Sequence, residues 1–255
     1  MSIKHLHRYL AKTEHMWNHR HEEAFALVIL GVSSASFLGP ALAPESIATA
    51  FGQRLATTTQ TATTTPLPTT LAGATLRITD SAGVERAAPL FYASPAQINY
   101  LVPAGLAAGP ALVRVVAADN TLSLGTIQIQ PVAPGLYTAN ATGRGAAAGF
   151  AVRAQADGSQ SAEPLTSPTD LGPESDRVVL VLFGTGLRNR TALSAVTATI
   201  GGVPAEVLYA GPQGAFVGLD QVNLSLPRSL AGRGEVTVNL TVDGRRANPV
   251  TIATR

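Results

Sequence analysis

Leu90 to Gly109 reads LFYASPAQINYLVPAGLAAG, and an altered copy runs from Val207 to Gly232 as VLYAGPQGAFVGLDQVNLSLPRSLAG. Both carry Tyr-Ala-x-Pro (Tyr92 to Pro95; Tyr209 to Pro212), then Gln-apolar-Asn (Gln97, Ile98, Asn99; Gln221, Val222, Asn223). A proline follows in each (Pro103; Pro227), then a Leu-Ala run ending in glycine at Leu106 to Gly109 and Leu230 to Gly232. Marks that recur in the same order along a chain point to a repeated structural unit. The repeat extends upstream, where Leu42-Ala-Pro-Glu-Ser46 is echoed by Leu171-Gly-Pro-Glu-Ser175. Phe51-Gly-x-x-Leu55 is likewise echoed by Phe183-Gly-x-x-Leu187. The spacing between marks drifts, as insertions in loops between fixed strands make it drift. The largest insertion is the Thr-rich stretch Thr57 to Thr70.

Two copies within 255 residues predict two domains, each large enough for a modest core. Hydrophobic residues make up 45% and charged ones 13%, which excludes a disordered or highly charged chain. The 24 Gly and 17 Pro imply frequent turns between short Val/Thr/Ile runs, and no long run places apolar residues at helical spacing. The fold class read from this is all-β. A net charge of +2, scattered along the chain, argues against a nucleic-acid partner. With no Cys there is no disulfide and no thiolate chemistry.

Residues 1–24 read as a leader, unstructured or a short helix, that holds all five His. His15 and His19 stand at a spacing suited to metal ligation, but nothing nearby completes a site, so no metal is assigned. Ala24 to Val32 (AFALVILGV) reads as a first strand. It also has the composition of a signal-peptide apolar core, with Ala41-Leu42-Ala43 as a cleavage-like site, and is too short to span a membrane. The first domain is expected over 25–133. Its strands are Ser46 to Phe51, Ala74 to Ile78, Ala88 to Tyr92, Gln97 to Val102, and the hairpin Ala111 to Ala117 with Ser123 to Gln130. The second is expected over 134–255 and begins with a hairpin at about 146–166, turning at Asp157-Gly158. Arg177 to Phe183 (RVVLVLF) is nearly all apolar and is expected to be a central strand buried on both faces. Gly184-Thr-Gly186 after it is read as a turn.

In each Gln-apolar-Asn triplet, strand alternation puts both amides on one face and the apolar residue on the other. Side-chain amides both donate and accept, so they can cap neighbouring backbone. The prolines before and after fix a turn and end the strand. Structural duty is therefore assigned to Tyr92, Pro95, Gln97, Asn99, Pro103, Tyr209, Pro212, Gln221, Asn223 and Pro227. Polyol binding is the alternative for the amides. No Gly-x-Ser-x-Gly, P-loop or His-Glu-x-x-His motif occurs, and no His lies beyond residue 21, so no catalytic residue and no cofactor is assigned. Asp170, Glu174 and Asp176 could hold Ca²⁺ through oxygens, or simply form a solvated loop. Glu45 and Glu174 fall at equivalent places in different domains and make a poor hydrolytic pair. Tyr100, Tyr137 and Phe216 are the candidates for an aromatic sugar platform.

The ordered set LAPES, LFYASPAQINYLVPAGL, VAPGLYTAN, GRGAAA, LFGTGLRNR, IGGVPAEVLYAGPQ, GLDQVN and LTVDGR, over roughly Val32 to Arg255, resembles the uncharacterised Solibacter-type C-terminal family. The resemblance implies tandem immunoglobulin-like β-sandwiches of the IPT/TIG type, found at the tail of bacterial secreted or surface proteins. It brings no catalytic residues. The expected role is a non-enzymatic extracellular or cell-surface structural or interaction module. Its partner would be an unknown protein or a glycan, and the chain a monomer or part of a larger multidomain protein. A carbohydrate-binding or adhesive module is the alternative, and a carboxylate-based glycoside hydrolase the third reading.

Overall fold

The computed structural model describes residues 28–255. The leader with His15 and His19, and the first part of the Ala24 to Val32 run, lie outside the described residues. The chain divides into two compact units between Ala133 and Pro134.

Unit 1 contains β1 (Leu30–Ser33), β2 (Ala41–Leu42), β3 (Ile47–Phe51), β4 (Gln60–Thr61), β5 (Thr70–Leu71), β6 (Ala74–Thr79), β7 (Glu85–Ala87), β8 (Leu90–Ala93), β9 (Gln97–Leu101), β10 (Gly109–Val116) and β11 (Leu122–Ile129). One sheet runs β1-β3-β9-β8-β4, and the other β2-β11-β10-β6-β5 with β7 against β6. In the letters of the immunoglobulin fold these are A-B-E-D and A′-G-F-C, so the unit is an immunoglobulin-like sandwich by its strand order. The first strand is split, because β1 pairs antiparallel with β3 while β2 pairs parallel with β11. Two bonds carry that parallel contact, from Gln128 N–H to the Pro40 carbonyl and from Gln130 N–H to the Leu42 carbonyl, each at 2.9 Å.

Unit 2 contains β12 (Gly135–Leu136), β13 (Gly149–Ala154), β14 (Gln160–Pro164), β15 (Arg177–Thr185), β16 (Val196–Ile200), β17 (Val203–Ala205), β18 (Val207–Pro212), β19 (Asp220–Ser225), β20 (Gly234–Val242), β21 (Arg245–Arg246) and β22 (Val250–Thr254). Its sheets run β14-β13-β15-β19-β18, with β12 on β15, and β17-β16-β20-β21, with β22 on β20. The β13–β14 hairpin belongs to this unit, since β13 pairs with β15 along its whole length. A parallel bridge also reaches the last strand of this unit, from Thr169 in the segment between β14 and β15. Thr169 donates its N–H to Ala253 at 2.8 Å and accepts from Arg255 N–H at 3.0 Å.

Alternation explains the packing. β6 and β10 alternate buried and accessible positions, so Leu76, Ile78, Ala111, Val113 and Val115 point into the unit 1 core. In β3 and β9 both faces are buried. Ala48, Ala50, Ile98 and Tyr100 belong to the hydrophobic core, which leaves Thr49 and Asn99 on the opposite face. β15 is the central strand expected from its apolar run, held between β13 and β19. It continues further than the expected turn, through Gly184 and Thr185, and the left-handed turn begins at Gly186, with φ 79°. The physical reason is β12. Its Gly135 carbonyl lies 2.6 Å from where a Gly184 Cβ would stand, so Gly184 is there for close strand approach.

Candidate functional site

The repeated marks occupy the same register in each unit. Asn99 lies opposite Thr49 and Tyr92, and Gln97 opposite Phe51. Asn223 lies opposite Val181 and Tyr209, and Gln221 opposite Phe183. Each pairing carries a bulge two residues wide, between Leu90 and Tyr92 and between Val207 and Tyr209. Within each triplet the Gln Nε2 donates to the Asn Oδ1 at 2.8 Å. The amides thus bond along the strand to one another, and in unit 1 Thr49 adds an O–H to Asn99 Oδ1 at 2.9 Å. Gln97 and Asn99 are fully buried, while Gln221 and Asn223 are half-buried.

The prolines differ in place. Pro95 sits in the tight turn between β8 and β9, where its carbonyl accepts Leu55 N–H at 2.9 Å. Pro212 is the last residue of β18, and a seven-residue loop follows it before Asp220. Pro103 follows β9, and Pro227 precedes a short 3₁₀ turn, Arg228–Leu230.

The aromatic platform expected at Tyr100, Tyr137 and Phe216 does not exist as a set. Tyr100 and Tyr137 are fully buried and Phe216 is half-buried. Tyr100 alternates with Asn99, which commits its ring to the hydrophobic core while Asn99 takes the opposite, also buried, face. Among the described residues its hydroxyl has no hydrogen-bond partner, and burial raises its pKa. Leu224 takes the matching place in unit 2, so the fold there does without a hydroxyl. Tyr100→Phe is therefore expected to leave unit 1 as stable or to raise its stability by up to about 1 kcal/mol, read from urea unfolding. A loss of similar size would show that the hydroxyl is partnered.

The buried acids are engaged by donors. Asp80, in the turn after β6, accepts from the backbone N–H of Ala82, Val84 and Ala107, each at 3.0 Å, and from Arg86 at 2.8 Å. The Ala107 amide first, then those of Val84 and Ala82 and the Arg86 guanidinium, hold its carboxyl below the ordinary 3.8 against an opposing effect of burial. A lowered folded value means that its contribution to stability is present above 3.8 and is lost as pH falls through that lower value. Asp80→Asn should accordingly lower the urea midpoint at neutral pH, and the gap to wild type should narrow as pH drops below 3.8. A gap independent of pH would contradict this assignment.

Asp170 and Asp176 both face Arg153, at 3.8 and 3.6 Å, and Asp170 also faces Arg255 at 3.8 Å. Arg228 donates to the carbonyls of Leu171 and Gly172, each at 2.6 Å. The segment expected as a solvated loop or a calcium site is thus bound to three arginines. Among the described residues no three His, Cys, Asp or Glu side chains gather into a metal-binding group.

Asp220, fully buried, accepts from Leu187 N–H and from Arg188 Nε, each at 2.8 Å. Burial raises its pKa, while Arg188 and the Leu187 amide oppose the shift. The unit 1 counterpart of this bond is the one from Leu55 N–H to the Pro95 carbonyl, so in unit 2 a side chain does the work of a backbone oxygen. Asn248 is a second feature that the sequence reading did not single out. Its Oδ1 accepts Leu136 N–H at 2.8 Å, and its Nδ2 donates to the Leu136 and Gly143 carbonyls at 2.9 Å. The third is at Gly211, where the Tyr209 hydroxyl and Arg190 Nη1 lie 3.1 and 3.3 Å from the position a Cβ would take. None of the three shows in periodicity or motif spacing. The one available signal was that Asp220, Arg190 and Gly211 have no chemical match in the first copy.

No family model and no curated protein matches the chain. Among solved structures it is similar to the titin Ig tandem domains, at 9% identity over 84% of this chain and 90% of that chain, with a TM-score of 0.26. The immunoglobulin-like assignment rests on the strand order of each unit rather than on this likeness. No described helix is long and apolar enough to cross a membrane.

Proposed function

We propose that the chain is a non-enzymatic structural or interaction module that works outside the cell or at its surface. The observation that carries this is the recurrence of one polar device, the Gln-to-Asn bond inside a strand, at the same register in both units. A reactive pair would be built once, at one cleft. A bond repeated in each sandwich serves the sandwich. The buried acids Asp80 and Asp220 support the same reading, because amide N–H groups and guanidinium donors already engage them. The extracellular setting is supported by the resemblance of the ordered motifs to tail domains of secreted bacterial proteins.

Two measurements test the proposal. The purified chain should show no turnover of chromogenic esters or glycosides above the buffer rate. Turnover abolished by Asp80→Asn or Asp220→Asn would overturn the non-enzymatic reading. In cell fractionation, a tagged full-length protein should be found at the surface or in the medium; retention in the cytoplasm would overturn the proposed location.

A glycan-binding role is the second reading, and one observation favours it. Tyr209 is exposed, whereas its counterpart Tyr92 is buried.

A further inference from the structure

The two units share so much that their differences stand out. Tyr92 and Tyr209 begin the same motif, follow matching bulges and lie opposite the matching Asn99 and Asn223. Yet Tyr92 is 7% exposed and Tyr209 is 36% exposed. Two residues on from the tyrosine, the first unit has buried Ser94 and the second has Gly211. Without a side chain at Gly211, the Tyr209 ring and the Arg190 guanidinium converge on one spot. The Tyr209 hydroxyl donates to the Pro212 carbonyl, which holds the ring in place.

Among the arginines of unit 2 that are not exposed, Arg190 is the unusual one. Arg153, Arg188 and Arg255 of the same unit all face carboxylates, and Arg228 is bound to carbonyl oxygens. Among the described residues the half-buried Arg190 guanidinium has neither, and its enclosed Nε, like those of Arg114 and Arg153, has no hydrogen-bond partner there. A cation taken partly out of water without a counter-ion is costly, and a carboxylate is the group that a planar guanidinium meets best. The neighbouring exposed tyrosine supplies an apolar face with a polar rim, suited to the C–H face of a sugar ring.

We infer that Arg190, Tyr209 and Gly211 form a binding site for a carboxylate-bearing saccharide, a reading that deepens the interaction-module proposal and rests on it. The carboxylate meets the Nη end of Arg190 and the sugar ring lies against Tyr209, with Gly211 as the floor. An acidic peptide is the competing ligand. It would add along β18, the outermost strand of its sheet, but the bulge between Val207 and Tyr209 interrupts the ladder that an added strand needs.

The test is calorimetric titration of the full chain with oligogalacturonate, a neutral cello-oligosaccharide and a Glu-rich peptide. Oligogalacturonate alone should bind. Arg190→Gln, Tyr209→Ala and Gly211→Ala should each weaken it about tenfold or more. Arg190→Lys keeps the charge without the fork and should also weaken binding, and its unfolding midpoint should match wild type. Unchanged affinity in Arg190→Gln or Arg190→Lys overturns the site. Equal binding of the Glu-rich peptide or of the neutral sugar overturns the ligand class. If none of the three ligands binds, this inference fails while the module proposal stands, because turnover and fractionation judge that one separately.

Discussion

Replacing Asp220 by alanine is expected to lower the stability of unit 2 by about 3–5 kcal/mol in denaturant unfolding. The carboxylate is fully buried, and the Arg188 side chain beside it is 12% exposed, so the pair sits largely out of water. A buried pair adds little over a well-packed apolar one, but removing a single member leaves a desolvated charge behind. The same change also strips the Leu187 N–H of its acceptor at the turn after β15. Asp220→Asn keeps the shape and one acceptor oxygen, so its loss should be smaller than that of alanine. Equal losses would mean that the uncompensated Arg188 charge, which both variants leave behind, is the whole cause and the acceptor for Leu187 N–H adds nothing. The pH dependence has the opposite sign to that of Asp80. Burial raises the folded pKa of Asp220, so the folded state binds this proton more tightly than the unfolded chain does. Its contribution to stability therefore falls as pH rises from the ordinary 3.8 through the raised value, and recovers on acidification. Comparing acid titrations of the two asparagine variants should separate the two slopes.

Asn248→Ala is expected to cost about 3 kcal/mol, again in unit 2. One amide there satisfies the N–H and C=O of Leu136 and the C=O of Gly143. Leu136 is fully buried, so its backbone groups cannot turn to water in place of the lost amide. Unmet buried backbone groups carry their full desolvation cost. Asn248→Asp provides the contrast: it retains the acceptor for Leu136 N–H but sets an oxygen against two carbonyls. It should destabilise at least as much as alanine at neutral pH and recover at acid pH, once the carboxyl can donate. A loss below about 1 kcal/mol in both variants would show that this amide is not what joins β12 and the loop at Gly143 to the last strand.

Much of the fold was legible because strands and turns are local. The β10–β11 and β13–β14 hairpins, the apolar run of β15 and the ends of β9 and β19 all follow from alternation, glycine and proline. The order of repeated marks carried the rest of the architecture, since Tyr92 and Tyr209 meet Asn99 and Asn223 in the same register. What escaped was long-range or came from burial. Asn248 and Leu136 are separated by 112 residues, and no spacing rule joins an amide to a backbone that distant. The run after Phe183 reads as a turn by its glycines, yet the Gly135 carbonyl packs against Gly184 and keeps the strand going. Tyr100 and Tyr137 look like platform residues by type, but their place inside a sandwich decides otherwise. Arg190 and Tyr209 are far from neighbours in sequence, and only the bare backbone at Gly211 lets them meet.

The parallel contact between β2 and β11 of unit 1 has a mechanical side. Pulling on the two ends of this unit draws those strands past each other along their length. The Gln128–Pro40 and Gln130–Leu42 bonds lie across that motion. They are strained together, as rungs in shear, and cannot be peeled apart one at a time. Tension across unit 1 falls on these rungs before its hydrophobic interior opens.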